Sequence, residues 1–155
     1  NFGLSAAKAL EERLIDGFWA NGMGTEVAVR SGAGSVVLDI RRGDGPKECF
    51  NYTMASLAVT DDFLARRPDD ARRAVTAMED THAALKSDLS LAAEVGRKVF
   101  PEREASLIAA LIERDLPYYS TTITPDFVAA MNEFARQRGI LKGAPTFSEV
   151  VAALR

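Results

Sequence analysis

The chain has 155 residues, of which 47% are hydrophobic and 26% are charged, and this is the composition of a soluble globular protein. Its 19 basic and 22 acidic residues give a formal net charge of −3, and the paired arginines lie beside aspartates, unlike the clustered basic surface of a nucleic-acid-binding protein. The single cysteine excludes an internal disulfide and a thiolate metal cluster. No apolar run approaches the ~20 residues that a membrane-spanning helix needs.

The first 60 residues alternate between helical and extended patterns. Apolar residues at helical spacing predict one helix over residues 4–14, with Ser5 as its N-cap, and a second helix over residues 25–32 that ends at Gly32. Residues 41–48 contain two glycines and a proline and are expected to form a loop. Three short runs predict strands: 15–20 (IDGFWA), 35–40 (SVVLDI) and 50–60 (FNYTMASLAVT).

After residue 60 the pattern is helical throughout. Thr60 is expected to cap a helix that Pro68 interrupts, and Pro68 is expected to start a long helix that ends near residue 88. His82 lies on the apolar stripe of that helix, which favours a partly buried, hydrogen-bonded histidine over a metal ligand. Further helices are predicted over residues 91–100, 102–116, 125–139 and 147–154.

The predicted strands create a physical problem. A strand, a helix and a second strand predict a parallel unit with a right-handed crossover. Two or three short strands cannot cover one another, and their edges need further strands beside them. We therefore expect an α/β chain that is part of a longer protein, or one whose signal segment has been removed, because the sequence opens at Asn1 without a starter methionine.

The turn over residues 22–26 (GMGTE) is the best candidate for a binding site. Small residues between a strand end and a helix start often lie at ligand sites, because the N–H groups of a helix N-terminus attract anions. The turn lacks the Lys-Ser/Thr of a P-loop and the third glycine of a dinucleotide fingerprint. Trp19 and Asn21 lie at this edge, and burial of Trp19 in the core is the alternative. Contact with water or with a loop at a strand end explains Asp16, Glu26 and Asp39 better than a carboxylate pair for acid–base catalysis. Covering of a helix end explains Tyr118 and Tyr119 better than the lining of a ligand cleft.

Several segments, in their order along the chain, resemble the later part of a solute-binding protein. They are AAKALEERLIDGFWANG, VVLDI, NYTMASLAVTDDFLARRPDDARRAV, LAAEVGRKVFP and LPYYSTTIT. The family is that of the extracytoplasmic solute-binding proteins of ABC transporters, of the nitrate, sulfonate, taurine and thiamine-precursor type. The resemblance implies part of an α/β, periplasmic-binding-protein-like (type II) fold. Residues 1–49 would end the second lobe, 50–60 would be the inter-lobe crossover strand, and 61–155 would be the helical C-terminal part that packs on the first lobe.

The resemblance also implies a function. A sulfonate, nitrate, aromatic acid or pyrimidine precursor would be captured between two lobes, in the periplasm or elsewhere outside the cytoplasm, and delivered to a membrane permease. No catalysis, cofactor, metal or nucleic acid would be involved, and copies could associate if the chain is truncated. The implied ligand-binding residues are Trp19, Asn21, Met23 and Glu26 in the turn, and Asn51 and Tyr52 at the crossover strand.

Two points leave alternatives open. Asn21-Gly22-Met23 stands where sulfonate-type members more often carry an aromatic-Asp-Pro stretch, which leaves an amine, a pyrimidine precursor or an aromatic acid as the solute. The second point concerns function: the helices from residue 61 onward could instead form a helical protein-interaction or sensory module without a small-molecule ligand. No nucleophile–base pair supports an enzyme.

Overall fold

Helices form the regular structure of this chain. The computed structural model describes residues 3–20, 22–51 and 56–154. Within those ranges it contains eight α-helices and three short 3₁₀ turns, and no β-strand. The helices are α1 (Leu4–Glu11), α2 (Met23–Arg30), α3 (Asp61–Arg66), α4 (Pro68–Ser87), α5 (Ser90–Val99), α6 (Glu102–Asp115), α7 (Pro125–Gln137) and α8 (Phe147–Val150). The 3₁₀ turns are Ile40–Arg42, Lys47–Asn51 and Leu116–Tyr118.

The predicted α/β, periplasmic-binding-protein-like fold is wrong for the described residues. Residues 15–20 and 35–39 run without regular structure, and the predicted crossover strand begins in a 3₁₀ turn and continues irregularly over residues 56–60. Residues 52–55 of that segment lie outside the described ranges. The reason is physical: β-branched and aromatic residues form a strand only where a neighbouring strand completes the hydrogen bonds, and no described segment provides one.

Most helix boundaries follow the local signals in the sequence. Thr60 caps α3, because its Oγ1 accepts a hydrogen bond of 3.1 Å from the backbone N–H of Phe63. Pro68 and Pro125 are the first residues of α4 and α7, where a missing N–H costs nothing. Gly32 follows α2 with φ of 72°, a left-handed conformation that glycine adopts without strain. These predictions are confirmed.

The start of α1 differs from the prediction. Its N-cap is Gly3, with φ of 81°, so Ser5 lies inside the helix and does not cap it. The helix ends at Glu11 and not at residue 14, and Arg13 takes a left-handed φ of 57° just after it. α2 likewise starts earlier than predicted, at Met23.

The chain divides into two units. The first contains the described residues of Asn1–Asp39 and Ala83–Tyr119, and the second contains those of Ile40–His82 and Ser120–Arg155. The predicted ranges 1–49, 50–60 and 61–155 do not coincide with these units and stay a prediction.

The core of the first unit is built around α6. This helix packs against α5 and α2, and α2 packs against α1. Leucines and isoleucines at helical spacing give α6 its apolar stripe, while α5 offers Gly96, whose small size lets Ile108 approach. The buried cluster consists of Ala7, Met23, Val27, Ala28, Ala92, Leu107 and Ile108, with Leu4, Leu10, Phe18, Leu85, Leu111 and Ile112 packed against it.

A contact between two glycines fixes how closely α2 approaches the start of α1. A Cβ atom added to Gly24 would lie 2.6 Å from the carbonyl carbon and oxygen of Gly3. Backbone atoms cannot move aside as a flexible side chain can, so the position requires glycine. Gly24 is itself buried.

The second unit is organised around α7. α7 contacts α8 and the turn Lys47–Asn51. Asn132 of α7 donates a hydrogen bond of 2.7 Å to the carbonyl of Pro145, which ties α7 to the segment before α8. Ala71 and Val128 are the buried hydrophobic residues described in this unit. His82 is half-buried as predicted, but its Nε2 has no hydrogen-bond partner among the described residues, so the expected hydrogen bond at that atom is not found.

The basic residues of the surface pair with nearby acids, as the sequence suggests. Arg67 and Arg73 both contact the carboxylate of Asp70. The hydrogen bond from Arg73, assisted by the positive charge of Arg67, holds the pKa of Asp70 below its ordinary value. Similar local pairs join Arg66 to Asp62, Arg72 to Asp69 and Arg42 to Asp44.

Substitution of Gly24 tests the glycine contact. Gly24→Ala should lower the free energy of unfolding by about 1–3 kcal/mol, because the new methyl group meets the Gly3 backbone and the helices must shift. Thermal unfolding followed by circular dichroism measures the effect. Gly17→Ala is the matched control, since no atom lies within 4 Å of its added Cβ. Equal melting temperatures for the two variants would contradict this packing.

Candidate functional site

The structure describes only part of the predicted site. Trp19, Met23 and Glu26 lie in the first unit, on the segment before α2 and on α2 itself. Asn21 and Tyr52 lie outside the described residues. Asn51 is the last residue of the turn Lys47–Asn51, in the second unit, and only its backbone is described.

Trp19 is a surface residue. Its exposed fraction is 78%, so the alternative of a core tryptophan is wrong. It lies in the irregular segment between α1 and α2, where Leu14 is also 71% exposed. Trp19 is therefore accessible to a ligand or a partner, although it lines neither of the two grooves described below.

Met23 has the opposite environment. It is the first residue of α2, it is only 5% exposed, and it belongs to the hydrophobic cluster of the first unit. Its neighbour Gly22 takes a φ of 63°, which turns the chain into the helix. The first turn of α2, where an anion was expected, instead packs through Gly24 on the backbone of Gly3. In this arrangement the side chain of Met23 packs in the core of the first unit.

Glu26 takes part in an ion-pair network between α2 and α6. Its Oε1 lies 2.6 Å from Nε of Arg30, and its Oε2 lies 2.9 Å from Nη1 of Arg114. Arg114 in turn lies 2.8 Å from the carboxylate of Asp115, which is buried. The Glu26 side chain is 14% exposed, and its charge-assisted hydrogen bond to the partly buried Arg114 is better shielded from water than the one to the exposed Arg30. Both carboxylate oxygens of Glu26 are engaged within the protein.

The sequence alone did not predict that Arg114 and Asp115 belong to this ion-pair network. Arg114 is 88 positions away from Glu26, and no local pattern reveals a pair at that separation. The Arg30 partner could have been found, because Glu26 and Arg30 stand one helical turn apart with the acid on the N-terminal side.

The first unit contains an open groove of about 490 Å³. It is lined by α1 and Glu12, with Val27 of α2 and Glu104 of α6. Lys8 lies 3.6 Å from the Glu12 carboxylate. Because the lining contains three glutamates and this one lysine, the groove carries an excess of negative charge. Oε2 of Glu104 is buried and has no hydrogen-bond partner among the described residues. Its full lining is Leu4, Ser5, Lys8, Glu11, Glu12, Val27 and Glu104, and none of these residues was predicted to bind a ligand.

The second unit contains an open, mostly apolar groove of about 320 Å³ between α7 and the segment that leads into α8. Thr146 is the N-cap of α8, and its backbone N–H and its hydroxyl both donate to Oε2 of Glu149, at 2.7 and 2.8 Å. The backbone hydrogen bond first, and then that of the hydroxyl, lower the pKa of Glu149. The lining is Pro125, Val128, Ala129, Asn132, Arg136, Ala144, Pro145, Thr146 and Phe147.

No group of three or more His, Cys, Asp or Glu side chains among the described residues is placed to hold a metal ion. None of the described helices combines the length and the apolar character needed to cross a bilayer.

Comparisons of the chain with protein-family models, with curated proteins and with solved structures found no match.

Removal of the Glu26 carboxylate should destabilise the first unit. Glu26→Gln should cost about 1–3 kcal/mol of unfolding free energy, because the partly buried guanidinium of Arg114 loses a charged acceptor. The measurement is chemical denaturation. Glu94→Gln is the control: Glu94 forms an exposed pair of the same one-turn spacing with Lys98, and its loss should be clearly smaller. A Glu26 variant as stable as the Glu94 variant would refute the structural role.

The pKa of Glu149 can be measured by an NMR titration of its carboxyl carbon. The midpoint should fall below that of an unstructured glutamate. A folded-state pKa below the unfolded one stabilises the protein above the unfolded pKa, and this contribution is lost as the pH falls through the folded-state pKa. Thr146→Val should raise the midpoint only partway, since the backbone donor remains. An ordinary midpoint in the unsubstituted protein would contradict the described cap.

Proposed function

We propose that this chain is part of the solute-binding component of an ABC importer. The observation that carries the proposal is the resemblance of several segments, over nearly the whole chain and in family order. The solute class is an anionic or heteroaromatic molecule: a sulfonate, nitrate, an aromatic acid or a pyrimidine precursor. The proposed location is the periplasm or another extracytoplasmic space, where the component would meet its membrane permease.

The proposed mechanism is reversible capture, without bond making or breaking. Binding would shift the protein toward a conformation that the permease recognises, and the shift can be no larger than the difference in solute affinity between the two conformations. The role needs neither a cofactor nor a metal. It needs accessible aromatic and polar groups that orient the solute.

Trp19 supports the proposal as the accessible aromatic residue of the resembling segment. A largely exposed indole offers a flat apolar face to a planar solute and an N–H that can donate to an anion. Met23 and Glu26, by contrast, are engaged in the core and in ion pairs. Of the described residues implied by the resemblance, Trp19 is therefore the one that we propose to contact solute.

Solute binding can be followed through Trp19, the only tryptophan in the chain. A panel of nitrate, sulfonates, aromatic acids and pyrimidines is titrated while the emission and the melting temperature are recorded. A solute present at 100 times its dissociation constant should stabilise the protein by about 2.7 kcal/mol. Trp19→Ala should weaken binding by about 2 kcal/mol, roughly 30-fold in Kd, because truncation removes an aromatic contact.

The same variant supplies its own stability control. Because Trp19 is exposed, Trp19→Ala should change the unfolding free energy by no more than about 0.5 kcal/mol. Unchanged melting across the whole panel would count against solute binding. A solute that stabilises the unsubstituted protein and the Trp19→Ala variant equally would support the proposed function but contradict a contact between Trp19 and the solute.

A second candidate is the helical protein-interaction or sensory module. The observation that favours it is the all-helical structure of the described residues together with the apolar side chains that the helices expose. Val95 and Val99 are exposed one turn apart on α5 and so share a face of that helix. Adjacent exposed apolar residues of this kind are typical of surfaces that other proteins cover.

Light scattering tests whether the exposed apolar face of α5 binds another copy of the chain. If copies of the chain associate through α5, the measured mass should rise above 16.8 kDa with concentration, in the absence of solute. The double substitution Val95→Ser and Val99→Ser should then restore the monomer, and Arg97→Ser, at an exposed charged position on the same helix, should not. A monomer at every concentration would contradict association through this face.

A further inference from the structure

We draw no further inference here: the strongest candidate, the open groove lined by α1, α2 and α6 in the first unit, is an acidic cluster that no independent feature of the structure connects to a ligand, because Glu104, whose Oε2 has no partner among the described residues, is only a partly buried side chain.

Discussion

Burial of the apolar stripe of α6 is the interaction on which the first unit depends. Leu107 and Ile108 face α2 and α5, and the close approach of these helices is possible because the partners present small residues, such as Ala92 and Gly96. Helices this short are marginal in water by themselves, and tertiary packing provides most of their stability. The position of α2, and with it the positions of Met23 and Glu26, follows from that packing.

The environment of Glu26 shows why a residue type in a suggestive turn does not define a site. A carboxylate at the start of a helix, after a glycine-rich turn, fits a ligand site and fits an interhelical ion pair equally well. The choice depends on what the fold brings near it. Here α6 brings Arg114 to the Glu26 carboxylate, and α2 itself supplies Arg30. The acid is then occupied by two guanidinium groups.

Local signals in the sequence predicted most helices well, but the strands that were predicted from such signals are wrong for the described residues. The start of a helix is determined by hydrogen bonds and dihedral angles within one turn, and for this reason it was predicted correctly at Thr60, Pro68 and Pro125. Val37 lies in a run that is typical of a buried strand, yet it is 92% exposed, because strand formation depends on distant chain segments. For the same reason the sequence identified Trp19 as a candidate but could not decide its exposure, and it gave no sign of Arg114 or of the two grooves.

The small size of the buried side chains has a thermodynamic consequence. Ala7, Ala28 and Ala92 make up much of the core of the first unit, and no large side chain among the described residues is fully buried. The heat capacity change on unfolding grows with the apolar area that becomes hydrated. A core in which alanines stand beside a few larger side chains exposes less such area than a core of leucines. The stability curve of this unit should therefore be shallower than that of an equally large unit with a leucine core, with a broader maximum.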